Sequence, residues 1–218
     1  QQRKGRVLFM KINDAVRDSW NAWSDDYFAM EYGQPETLNL LKADPRRAFP
    51  PTVWQNICML FPDLHGKRVC VPSSGDNIAA FAFFLLGADV TSCDFAERQL
   101  ENARQIADEQ GWQLKFCVCD STEMNGISDG SFDLVYTSNG VHTWIDDLPA
   151  MYRQFYRILK PGGHYLFFDT HPFIRPFDDE SDRLQIKKRY DDMRDNDWRV
   201  QDFINSLLKS GFTVARMD

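Results

Sequence analysis

The run DGSFDLVYTSNGVHTWIDDLPAMYRQFYRILKPGGHYLFFD, Asp129–Asp169, decides the fold. Phe132–Ser138 is a short apolar stretch rich in β-formers and bounded by turn residues, which predicts a strand. From Asp146 to Leu159 the residues Leu148, Met151, Tyr152, Phe155 and Leu159 recur at helical spacing, and Pro161, Gly162 and Gly163 stop the helix. HYLFFDT, from His164, is then a second strand. Strand, helix and strand in this order make a βαβ unit with parallel strands.

Upstream the pattern repeats. KRVCVP from Lys67 is the first strand, and the helix Asn77–Leu86 after it is apolar on all sides and therefore buried. ADVTSCD from Ala88 is the second strand. The next helix sets Leu100, Ala103, Ile106 and Ala107 on one stripe and stops at Gly111, a good residue just past a helix end. QLKFCVCD from Gln113 is the third strand, followed by a turn-rich link. Downstream, a helix over Trp198–Ser210 with Val200, Phe203, Ile204, Leu207 and Leu208 on one face ends at Gly211, and FTVARMD reads as a sixth strand. This order predicts an α/β fold, a doubly wound, mostly parallel sheet. An N-terminal helical extension precedes it, in which Val16, Trp20, Trp23 and Tyr27 form one stripe and Pro51 sits in the first turn of a second helix.

With 218 residues the chain suits one α/β domain. Hydrophobic residues at 43% and charged residues at 26% describe an ordinary globular protein. The net charge of −7, with Lys and Arg spread along the chain, gives no basic face for nucleic acid. The longest apolar run, from Ile78, is far short of the roughly 20 residues that span a bilayer. No signal peptide is evident at the start, so a cytoplasmic location is expected. Five cysteines, Cys58, Cys70, Cys93, Cys117 and Cys119, lack any C-x-x-C spacing and read as core thiols in a reducing compartment, so no metal site is expected. The chain does not begin with methionine and stops after the expected sixth strand, so residues are expected to be missing at both ends.

In an open parallel sheet, ligands bind outside the carboxyl ends of the strands where strand order reverses. Four such ends matter here. Ser73, Ser74, Gly75, Asp76 and Asn77 lead into a helix whose free N–H groups favour an anion. Asp94 stands where a carboxylate accepts from two ribose hydroxyls. Asp120 with Ser121 can accept from an exocyclic amine, and SNGVHTW, Ser138–Trp144, closes the cleft. Simpler readings exist: Asp94 with Glu97 as a capping box, Asp120 as an Asx-turn, and the Trp20, Trp23, Tyr27 stripe as plain packing instead of a roof over a cofactor.

These residues together resemble the class I S-adenosylmethionine-dependent methyltransferases of the small-molecule type. The most specific part is the spacing from the Asp133 strand to the LKPGG turn at Leu159–Gly163. The resemblance implies S-adenosylmethionine as cofactor, with S-adenosylhomocysteine as product, and a small-molecule methyl acceptor. It places Ser73, Ser74 and Gly75 near the methionine part, Asp94 on the ribose, Phe95 against the adenine, Asp120 and Ser121 on the adenine edge, and Asn139 near the sulfonium. The first loop departs from the family pattern, with Val71 in place of an acid and Ser73 and Asn77 in place of glycines. Ser73 is tolerable if its φ is negative, and Asn77 is a good helix cap. His142 is the best-placed group for proton removal, although histidine occurs at this turn in related enzymes without being a base. His171 faces the same choice, while His65 and His164 look structural.

The expected organisation over 1–218 is a helical cap at 1–65, a cofactor-binding core at 66–170, a lid or excursion at 171–197, and the last helix and strand at 198–218. Two rivals to methyl transfer stay open at this point. One is a cofactor-binding or regulatory module without transfer activity. The other is a nicotinamide-dependent oxidoreductase, although the first loop lacks the three glycines a pyrophosphate needs.

Overall fold

The computed structural model describes residues 2–32, 35–75, 78–174, 176–177, 183, 185–192 and 198–218. Helices α1 (Gln2–Tyr32), α2 (Pro35–Ala43) and α3 (Pro51–Leu60) lead into strand β1 (Arg68–Pro72). Then come α4 (Ile78–Leu85), β2 (Asp89–Asp94), α5 (Glu97–Gln110), β3 (Lys115–Val118), β4 (Phe132–Ser138), α6 (Leu148–Ile158), β5 (Leu159–Phe168) and α7 (Val200–Lys209). The strands form one sheet in the order β3-β2-β1-β4-β5, and every neighbouring pair is parallel. Strand order reverses between β1 and β4, which fixes the place of a ligand cleft before any side chain is considered.

Alternation along the strands builds two cores. Val69, Val71, Leu134 and Tyr136 point to one face and pack with Phe81, Phe83 and Ile106 of α4 and α5. Cys70 and Val135 point to the other, against Leu148, Met151 and Phe155 of α6 and Phe203 of α7. Helix α6 starts where the Asp147 side chain accepts from the Ala150 amide at 2.8 Å. Gly111, at φ +70°, ends α5 as its sequence predicts.

Three expectations need correction. Strand β5 begins at Leu159, so the LKPGG turn belongs to the strand, and a register shift between Phe132 and Leu134 absorbs it. A Cβ on Gly163 would come within 3.1 Å of the Phe132 carbonyl, which is why the close approach there takes glycine. The expected sixth strand does not form: Phe212–Asp218 has no ladder partner, although FTV has good β-propensity. The tail is held by side chains instead, with Phe212 packed on Tyr156 and Asn56 donating to Asp218. Propensity yields here to context, and a groove of about 830 Å³ lies between β5 and the tail. Finally, Asp94 does not cap α5, since the cap position is Ala96 and carries no side-chain bond.

The missing cap comes from far away in sequence. Asn21 of α1 accepts from the Arg98 amide in the first turn of α5 at 3.0 Å, and Asp25 pairs with the Arg98 guanidinium at 2.9 Å. Asn102 of α5 donates back to the Ser24 carbonyl at 3.3 Å. These bonds dock α1 across the sheet's carboxyl edge. In the excursion, Pro172–Ile174 is a short 3₁₀ turn and Phe177 bridges Ile186. Asn21→Ala removes an acceptor from a helix amide and is expected to lower unfolding stability by about 1 kcal/mol, as read by urea denaturation.

Candidate functional site

A cleft of about 370 Å³ opens at the carboxyl ends of β1, β2, β3 and β4. Ser73, Ser74, Gly75, Asp94, Phe95, Asp120, Ser121 and Asn139, picked out from the sequence at four separate strand ends, all line it. Asn77 and Asp76 lie outside the described residues.

Asp94 organises the first two strand ends. Its Oδ2 accepts from the Gly75 amide and its Oδ1 from the Ala96 amide, both at 2.8 Å. The carboxyl is 6% exposed. Burial pushes its pKa up to about 6, against the pull of the amides of Ala96, Gly75 and Phe95. The carboxylate keeps accepting capacity for a ligand hydroxyl. Gly75 has φ +51°, and a Cβ there would lie 1.8 Å from Oε1 of the buried Gln99, so any other residue would be strained and would have to displace that side chain.

Ser73 contradicts the condition set for it, because its φ is +49°. A left-handed serine costs roughly 1–2 kcal/mol, and the bond between its hydroxyl and that of Ser121, at 2.7 Å, holds it there. Ser74 is fixed from the other side by Ser92 at 2.6 Å and by the Cys93 carbonyl. Asn139 is also left-handed, at φ +64°, with its amide bonded to the Phe168 carbonyl at 3.1 Å. Two of the three non-glycine residues with positive φ among the described residues thus line the cleft, where backbone strain tends to collect. Asp120 makes the Asx-turn, accepting from the Thr122 amide and hydroxyl at 2.7 Å through Oδ1, and lines the cleft as well.

His142 is not at the cleft surface. It is fully buried, its Nδ1 is 2.5 Å from Oδ2 of Asp169, and its backbone amide donates to the same oxygen at 3.1 Å. The ring packs on Phe167 and Phe203 beneath the cleft. Burial would raise the Asp169 pKa, but the bonds from His142 hold it below the usual carboxylate range. The pair clamps the turn carrying Asn139 and Trp144 onto the end of β5. His171 caps its own turn, accepting from the Phe173 amide at 3.1 Å.

Val71 is buried in the core and does not line the cleft. Several lining residues escaped the sequence reading: Gln99, Thr122, Asp146 and Glu31. Trp144 completes an aromatic wall, 5.2 Å from Trp20, which itself sits 5.5 Å from Tyr27. The signal available was the stripe on α1, which needed a partner on the fourth strand end. Among the described residues, the lining includes four carboxylates, Glu31, Asp94, Asp120 and Asp146, and no lysine, arginine or histidine.

Residues 72–167 match the model of the methyltransferase domain family. A ubiquinone biosynthesis O-methyltransferase of Bordetella avium is 31% identical over 161 residues, 74% of this chain and 62% of that protein. An uncharacterized methyltransferase of Bacillus subtilis, YbaJ, is 26% identical over 59% of this chain and 50% of its own length. The chain thus spans between half and two thirds of these two relatives. The crystal structure of an S-adenosylmethionine-dependent methyltransferase from Mesorhizobium loti superposes with a TM-score of 0.60 at 24% identity, covering 75% of this chain and 82% of that one.

A buried carboxyl whose pKa is raised on folding stabilises the fold below the unfolded pKa, and the contribution disappears as pH rises through the folded value. Asp94 is therefore expected to cost the unliganded protein about 3 kcal/mol as pH climbs from the usual carboxylate range through about 6. Urea unfolding at a series of pH values should show this slope in the native chain and lose it in Asp94→Asn.

Proposed function

We propose that this chain, a class I S-adenosylmethionine-dependent methyltransferase by its domain and fold, transfers a methyl group from S-adenosylmethionine to a small-molecule acceptor. The observation that carries the reading is the convergence of Asp94, Asp120, Ser121 and the Ser73–Gly75 loop on one cleft at the switch point. No helix among the described residues is long and apolar enough to cross a membrane. Five cysteines, all free thiols, support a reducing, cytoplasmic setting.

The donor set fits the cofactor. Asp94 is placed to accept from a vicinal diol, Asp120 and Ser121 can meet an amine edge, and Phe95 offers a flat face. Ser73, Ser74 and Gly75 line the methionine end, and Asn139 the reacting end. When bound, the cofactor supplies an electrophilic methyl on a sulfonium. The protein's own part is alignment and exclusion of water, and well-oriented reactants can gain roughly 7–11 kcal/mol from positioning alone. Trp20, Tyr27 and Trp144 form a wall that tolerates a cation and sheds water. Four lining carboxylates disfavour an anionic acceptor and favour a neutral or cationic one. In this reading the helical cap of residues 1–65 covers the core of 66–170, and His142 positions the Asn139 turn through Asp169 without removing a proton.

Three measurements test this. S-adenosylhomocysteine at 100 times Kd is expected to add roughly 2.7 kcal/mol of stability in a thermal melt, and NADH to add none; a shift with NADH alone would overturn the proposal. Titration calorimetry on Asp94→Ala should show affinity reduced by about 1.5–3 kcal/mol for each lost bond to the carboxylate. Because ribose hydroxyls donate to the ionised form, native affinity should fall as pH drops through about 6. Unchanged affinity in Asp94→Ala would sink the ribose assignment.

A further inference from the structure

We propose that Cys93, Cys117 and Cys119 form a sulfur-only site for one copper(I) ion, on the α6 face of the sheet and separate from the cofactor cleft. The parallel register sets Cys93 of β2 directly beside Cys117 of β3. The two-residue step to Cys119 returns its side chain to the same face. The three sulfurs lie within 4.8 Å of one another. None of the three lines the cleft.

The donors decide which ion fits. All three are thiols, and no histidine or carboxylate joins the group among the described residues. Cys70 brings a fourth sulfur to 3.9 Å from Cys93, and Met124 is buried in the same apolar cluster. Thiolate and thioether sulfur select soft ions such as copper(I) and zinc over hard ones. A structural zinc site closes a tetrahedron with four ligands, whereas only three sulfurs here are mutually close. Copper(I) is content with three.

When copper(I) binds, each cysteine that ligates exchanges its S–H bond for a sulfur–copper bond and gives its proton to solvent. No electron is transferred. Cys117 is half-buried, its Sγ 3.7 Å from the Asn125 carbonyl of the covering link, which provides a route in from solvent.

The experiment is competition for copper(I) between the reduced full chain and bathocuproine disulfonate, with a copper-edge X-ray absorption spectrum of the complex. One equivalent bound per chain, in a first shell of sulfur alone, is the expected result. Cys117→Ser should weaken binding by more than the roughly 10- to 100-fold that outer-shell changes cost, and Cys58→Ser, on exposed α3, should leave it unchanged. Failure to withdraw copper, nitrogen or oxygen in the first shell, or an equal loss in Cys58→Ser, each overturns the proposal. The absorption result stands on the native chain, so an unfolded variant does not remove the test. Neither readout involves methyl transfer.

Discussion

The cleft depends on one buried carboxylate gripping two backbone amides. Asp94 ends β2, yet one of its oxygens is taken by Gly75 at the end of β1 and the other by Ala96 at the start of α5. A carboxylate removed from water costs several kcal/mol unless it is hydrogen-bonded, and these amides keep the group ionisable near neutrality. The same bonds tie two adjacent strand ends into a fixed frame. A ligand hydroxyl would meet a carboxylate that is already oriented, and the loop of β1 cannot move away without stranding a buried carboxyl.

Around that frame, cross-strand bonds hold left-handed turns that would otherwise call for glycine. Ser73 occupies a left-handed conformation where glycine is cheaper, and Ser121 from the end of β3 holds it in place. Asn139 is left-handed at the end of β4, held by Phe168 of β5 and, through its turn, by the His142–Asp169 pair. Strain at both ends of the cleft persists because neighbouring strands over-determine it. A rigid site is what a displacement reaction asks for when alignment is the main source of acceleration.

The parallel sense of the sheet, the stop at Gly111, and the cleft residues Asp94, Asp120 and Asn139 were legible because each rests on local spacing. What stayed hidden was non-local. Nothing in the α1 stripe says that Asn21 will cap α5 or that Trp20 will meet Trp144, since those partners are more than seventy residues away. The sign of φ at Ser73 depends on Ser121, which no window around the loop contains. The last seven residues carry a strand's composition, but pairing is decided by what β5 presents, so the composition misled. Proximity in sequence also hid the thiol cluster: C-x-C is unremarkable until register brings Cys93 beside it. His142 looked available because its turn is at the cleft, but the side chain rotates inward to Asp169.

Helix α5 shows how the cover and the floor of the cleft are joined. Its first turn receives Asn21 and Asp25 from α1 on the outside and, one residue further on, sends Gln99 against Gly75 on the inside. Whatever displaces α1 therefore pulls on the turn that supports the loop of β1. Trp20 lies one residue before Asn21 on α1, so the aromatic wall shares that anchor. A helix about fifty residues before the first strand end is thus tied to the element that supports it. A ligand that needs α1 to shift would have to work against the bonds from Asn21 and Asp25 to the first turn of α5.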